Sequence, residues 1–151
     1  MDLVEGRYEI NFGDLERKLA DPKVKILFIC NPQNPTGRCF TKEELVRMGE
    51  LCIRNNVMIG VDEIHADIIF DGHKFVPFCG ISEEFANHSV TFINPAKTFN
   101  VAGFRTAAWF THNKEIYRRM MNQQTYKKGV GRNIFGNVAL MACYNHGDDY
   151  A

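Results

Sequence analysis

Residues 23–63 carry the pattern that most restricts the fold. KVKILFIC, residues 23–30, is an apolar, β-branched run of strand length. NPQNPTGR follows it, dense in Asn, Pro and Gly, and reads as a loop. TKEELVRMGELCIRNN comes next, and the spacing of Thr41 and Glu44 is that of a capping box, which marks a helix start. Leu45, Met48, Leu51 and Cys52 share one face of that helix, and Asn55 and Asn56 end it. VMIGVDE, residues 57–63, is a second strand. Strand, loop, helix, strand implies a right-handed βαβ unit. The sheet that holds such a unit is largely parallel and covered on both faces.

SVTFIN, residues 89–94, and TAAWFTH, residues 106–112, supply a third and a fourth strand. The link between them is about a dozen residues long and holds no full helix. That is short for a parallel crossover, so the fourth strand is expected to run antiparallel. Asn113 caps a helix to about residue 124, and a last helix covers residues 133–144. The expected class is α/β: a three-layer, open, mostly parallel sheet with helices on both faces and an antiparallel last strand.

Composition excludes several functions. Lys and Arg number 18 and so do Asp and Glu, which leaves no electrostatic footprint for nucleic acid or an anionic membrane. No run approaches the roughly 20 apolar residues of a membrane span. MDLVEGRYEI has acids where a signal peptide has bases. Cys30, Cys39, Cys52, Cys79 and Cys143 are widely spaced and form no C-x-x-C pair, so neither a zinc ribbon nor a disulfide framework is expected. A reduced, cytoplasmic protein is expected instead. His65, Asp67 and His73 lie close together in HADIIFDGH, but the segment lacks H-E-x-x-H and its imidazoles do not share a helical face, so no metal is expected. Neither a P-loop nor G-x-G-x-x-G is present, so nucleotide use is not expected.

In sheets of this class ligands sit at the carboxyl ends of the strands. Residues 31–37, 62–65 and 94–97 fall at those ends and should converge. Lys97 lies between two core strands, where desolvation would favour a neutral amine able to attack a carbonyl; the alternative is a solvated loop lysine. Asp62 ends a strand, where a carboxylate can keep a pyridinium nitrogen protonated or simply cap a turn. Glu63 points to the other side by the period of two. The amide of Asn34 can donate to a phenolic oxygen or serve the turn alone. His65, three residues beyond Asp62, reads alone as a loop histidine. Arg105, eight residues beyond Lys97, suits a bidentate grip on phosphate or a plain surface position.

The ordered set NPQNPTG, DEIH and KTFNVAGFR resembles the fold-type I pyridoxal-phosphate enzymes of the class I/II aminotransferase family. The resemblance implies that Lys97 carries pyridoxal 5′-phosphate as a Schiff base and that Asp62 partners its ring nitrogen. It implies that Asn34 bonds the phenolic oxygen and that Arg105 binds the phosphate. Asn94 stands where the family often has a serine that helps hold the phosphate, and His65 replaces a tyrosine of typical aminotransferases. DEIHAD, KTFNVAG and SEEFANHSVTF look most like the cystathionine β-lyase branch, the C–S lyases of the MalY and PatB type. The implied reaction is α,β-elimination from cystathionine or other cysteine S-conjugates, with a small amino acid as substrate; an aminotransferase is the alternative. The resemblance further implies that residues 1–151 are the central part of the large cofactor-binding domain. The expected absences are an N-terminal part with the glycine-rich turn and a C-terminal small domain. A homodimeric parent is also implied, and half a sheet would leave an open strand edge at KVKILFIC, so a self-associating fragment is expected. The alternative of another class is a catalytically inactive, truncated α/β module.

Overall fold

The computed structural model describes residues 1–126 and 133–151. The chain opens with a hairpin of β1 (Asp2–Val4) and β2 (Arg7–Glu9), joined through Glu5 and Gly6, both at positive φ. Two positive-φ residues in a row match the twist that a tight hairpin needs. Helix α1 (Phe12–Leu19) follows, with Asn11 accepting from the Asp14 amide at its start. The sequence pattern had assigned no element to residues 1–22.

Strand β3 (Ile26–Cys30) leads to α2 (Lys42–Arg54) and β4 (Met58–Asp62). The capping box expected at Thr41 and Glu44 is present in both directions, and Asn55 caps the other end. A short α3 (Glu83–Asn87) precedes β5 (Ser89–Ile93). A 3-10 turn at Ala102–Phe104 fills the link to β6 (Ala108–Phe110). Two helices close the chain, α4 (Lys114–Tyr126) and α5 (Ile134–His146), begun by Asn113 and Asn133 as expected.

The main sheet has the order β3-β4-β5-β6. Its first two pairings are parallel, and β6 runs antiparallel to β5, as the short link required. One face is the core. Ile29, Ile59 and Val61 are buried in one cluster with Leu45, Met48, Leu51 and Cys52 of α2. Burying each large apolar side chain stabilises by roughly 1.5–3 kcal/mol, so this face of α2 holds the helix to the sheet. Gly49 lets α3 approach α2 closely: a Cβ there would lie 2.6 Å from the Phe85 ring. The other face carries the paired row Cys30, Asp62, Phe92 and Trp109. Tyr117 of α4 lies against it, its ring 5.5 Å from that of Trp109. Helices therefore occupy both faces. Strand β3 ends the strand order, with Phe28 71% and Ile26 52% exposed, so the expected open edge is there.

Candidate active site

Three chain segments separated by about 60 residues meet at the carboxyl edge of the sheet. Asn34, His65 and Lys97 line one cleft of about 450 Å³, together with Cys39, Phe70 and His73. The convergence expected from strand order alone is thus observed for these three.

The segment after β3 is built from buried anchors. Asn31 is fully buried; its Oδ1 accepts from the Phe40 amide at 3.0 Å and its Nδ2 donates to the Val76 carbonyl at 3.3 Å. Its own amide donates to the carbonyl of Asp62 at 3.0 Å, which fastens the loop to the neighbouring strand end. Both Asn–Pro bonds of the loop are cis. Gln33 closes the turn: its Oε1 accepts from the Thr36 amide at 3.0 Å, and its Nε2 donates to the Asn34 carbonyl at 2.6 Å. Arg38 then reaches Glu44 at the start of α2, with both carboxylate oxygens within 2.9 Å of Nη2. Glu44 is also the capping-box acid, so one carboxylate holds both the helix start and the loop. Asn34 itself is exposed at the cleft.

Asp62 and Glu63 part as the period of two requires. Asp62 lies in the row with Cys30, Phe92 and Trp109, and its Oδ1 accepts from the Ile64 amide at 3.1 Å. Glu63 turns into the core, where its Oε1 accepts from the Phe78 amide at 3.0 Å. Burial pushes the Glu63 carboxyl up from its ordinary value, and the charge of Asp62 adds to the shift. Burial also pushes up the Cys30 thiol, again with a contribution from Asp62.

The turn after β5 is more open. Asn94 is spent on its own backbone, its Oδ1 accepting from the Ala96 amide at 2.6 Å. The Phe99 amide donates to Pro95 O at 2.9 Å, and Asn100 takes a positive φ. Lys97 is exposed, which corrects the expectation of a desolvated amine. The turn projects beyond Ile93, the last residue of β5, and the described residues leave the Lys97 side chain open to solvent. Arg105 is exposed too, in a left-handed conformation with φ 46°. It lines a different groove, beside Trp109, Tyr117 and Asn133, and does not line the Lys97 cleft. Trp109 pairs with Phe92 and Phe92 with Asp62, so this groove adjoins the row that holds Asp62.

Sequence reading gave no place in the cleft to Cys39, Ile68, Ile69 or Phe70. The apolar run IIF, which begins six residues beyond the end of β4, was the available signal, since exposed apolar residues near a strand end tend to line a site. Nothing comparable marked Gln33, whose role depends on the turn it closes.

The chain is similar to known proteins along nearly its whole length. The chain is 41% identical over 144 residues to cystathionine beta-lyase PatB of Bacillus subtilis, which is 95% of this chain and 37% of that one. Cystalysin of Treponema denticola, whose crystal structure contains a pyridoxal 5′-phosphate cofactor, superposes with a TM-score of 0.91 at 32% identity; the match covers 97% of this chain and 37% of that one. The PLP-bound C–S lyase of Staphylococcus hominis superposes at 0.85 with 31% identity, covering 96% and 37%. The chain spans little more than a third of the length of each of these proteins. The family model for aminotransferase class I and II matches residues 3–127, the stretch that holds all three converging segments, and the chain belongs to that family.

Proposed function

We propose that this chain is the central part of the cofactor-binding domain of a pyridoxal-phosphate enzyme, and that the enzyme is a C–S β-lyase. The observation that carries the reading is the meeting of Asn34, His65 and Lys97 on one cleft, with Asp62 at the end of β4. An amine, a carboxylate and an amide brought to one sheet edge are the donor set that a pyridine aldehyde with a phenolic oxygen requires. The span of little more than a third of its relatives supports the placement within a larger domain.

Lys97 is the group to bond the cofactor aldehyde, and its exposed amine is within reach of a molecule in the cleft. The same amine would take the proton from the substrate Cα. Asp62 would keep the ring nitrogen protonated, and Asn34 and His65 would face the phenolic side. Arg105, in the groove that adjoins the Asp62 row, would receive the phosphate, and Asn94 would shape the turn between them. When bound, pyridoxal phosphate supplies an electron sink for the charge left at Cα. Loss of the β-sulfur as thiolate, which takes up a proton, and hydrolysis of the remaining enamine by water would give a thiol, pyruvate and ammonia. The likeness to PatB, cystalysin and a C–S lyase favours elimination from cysteine S-conjugates. An aminotransferase is the second reading, supported by the family as a whole.

A cytoplasmic setting is part of the same reading, supported by cysteines that the fold keeps apart as free thiols. Association of copies is supported by the exposed Ile26 and Phe28 on the edge strand β3.

The test is pyridoxal phosphate followed by borohydride, with the label mapped by mass spectrometry. Label concentrated on Lys97, and lost in Lys97→Ala, supports the proposal; label spread over surface lysines overturns it for this chain. In a protein extended to the length of the relatives, pyruvate release from cystathionine without a keto acid marks the lyase. A strict need for a keto acid marks the aminotransferase.

A further inference from the structure

Lys97 is the residue on which the proposed function turns, yet its side chain is exposed and long. Its position is therefore set by the backbone that carries it. Three contacts fix that backbone. Asn94 closes the near side through the Ala96 amide. Phe99 packs edge-on to Tyr144, with ring centres 5.9 Å apart, and lies near Tyr150. Gly147 admits the Phe99 ring, because a Cβ there would lie 2.4 Å from it. The third contact is different in kind. Thr98 donates its hydroxyl proton to Oδ2 of Asp67 at 2.9 Å, across 31 residues of sequence. Asp67 stands two residues from His65 on the segment that forms another wall of the cleft, and the Ile68 amide next to it donates to the His65 carbonyl at 3.1 Å.

We propose that the Thr98–Asp67 hydrogen bond is a clamp that sets Lys97 against His65, which makes Thr98 and Asp67 positioning residues of the cleft. Thr98 adjoins Lys97 and Asp67 adjoins Ile68, both cleft residues, so the bond ties together two of the segments that line the cleft. The acceptor is a carboxylate oxygen, and at 2.9 Å the bond lies within the ordinary O–H···O range. Asp67 also acts on Tyr144, whose phenol is pushed up first by burial and then by the Asp67 charge. The clamp gives the lysine a fixed base without burying the amine. Its bearing on catalysis rests on the function proposed above; its existence as a positioning device does not.

The test uses the full chain with Thr98→Val, Thr98→Ser, Asp67→Ala and Asp67→Asn. Two readouts are taken: the rate of borohydride-trapped pyridoxal-phosphate label on Lys97 relative to exposed Lys23, and amide exchange at Phe99 and Val101. Exchange at Leu45 in the core checks that each variant is folded. Loss of one such bond is expected to slow Lys97 labelling about fivefold and to speed Phe99 and Val101 exchange about fivefold in Thr98→Val and Asp67→Ala. Thr98→Ser, which keeps the hydroxyl, and Asp67→Asn, which keeps an acceptor oxygen, should stay within about twofold of the parent. Unchanged exchange in Thr98→Val, or a Thr98→Ser variant as impaired as Thr98→Val, overturns the clamp. A parent chain that labels no lysine in preference defeats the proposed function instead, and the exchange measurement still decides the clamp.

Discussion

The loop after β3 and the turn after β5 both reach the cleft, and they are built in opposite ways. The loop is held from inside. Asn31 is fully buried, and the Arg38 side chain is 10% exposed in its pair with Glu44. The turn is held from outside, by an Asn94 that bonds its own backbone, a surface Thr98–Asp67 bond, and left-handed residues at Asn100 and Arg105. The difference follows from what each must present. The loop has to bring Asn34 to the cleft, and buried bonds at Asn31 fix the backbone that carries it, at the cost of desolvation. An amine that must meet an aldehyde has to be reachable, so its segment cannot be packed in the same way.

The strongest way to break this contrast is Glu44→Ala. It leaves the Arg38 guanidinium buried without its carboxylate, when Nε and Nη1 are already without a hydrogen-bond partner. It also removes half of the capping box. Losing one partner of a fully buried pair costs about 3–5 kcal/mol; this pair is part-buried, so urea unfolding should show a loss toward the lower end of that range. A loss below about 1 kcal/mol, the range of a surface pair, would mean that the loop is not braced through Arg38. Asn31→Ala comes next. It strands the Phe40 amide and the Val76 carbonyl that Asn31 satisfies. A cost of about 2–3 kcal/mol is expected, since an unsatisfied buried group costs about 1–3 kcal/mol. The midpoint should fall while the urea slope stays constant.

The neighbouring carboxylates at the end of β4 sharpen the same contrast with an effect of opposite sign. Glu63 is buried, and its carboxyl is raised above the ordinary value of 4.5. Below that ordinary value the folded and unfolded states are both protonated, and the contribution of Glu63 is fully present. As pH rises through the raised folded value, the unfolded state ionises more readily, so stability is lost. Glu63→Gln keeps an acceptor for the Phe78 amide and carries no charge. The variant should be more stable than the parent at pH 7 and no more stable at pH 4, by thermal melting at both. A variant that is less stable at pH 7 would mean that the ionised form is favoured at this position.

The division between braced loop and open turn also marks what the sequence disclosed. The βαβ unit was legible because its signals are local: a strand-length apolar run, a capping box, an apolar helix face. The antiparallel β6 was legible from connection length alone. Convergence of Asn34, His65 and Lys97 followed from topology, which places strand ends together without reference to side chains. The N-terminal hairpin and α1 escaped notice because β1 and β2 are three-residue strands with exposed side chains and give no alternating pattern. Whether Lys97 is desolvated or a solvated loop lysine stayed open in the sequence for a related reason. Two flanking core strands say nothing about how far the turn between them projects. The partnership of Thr98 and Asp67 spans 31 residues and leaves no periodic trace.

The smallest expected change in stability comes from the residue with the largest expected change in chemistry. Lys97 is exposed and lies in a turn whose bonds are made by its neighbours. Lys97→Ala should therefore alter unfolding by no more than about 0.5 kcal/mol, as is usual for surface substitutions. Its borohydride-trapped label should vanish. A substitution that is silent in urea and complete in labelling would separate the scaffold from the chemistry within one cleft. Were Lys97→Ala to cost as much as Asn31→Ala, the turn would be part of the packed framework. The amine would then be held by burial after all, and the contrast between the two segments would fail at the residue where it matters most.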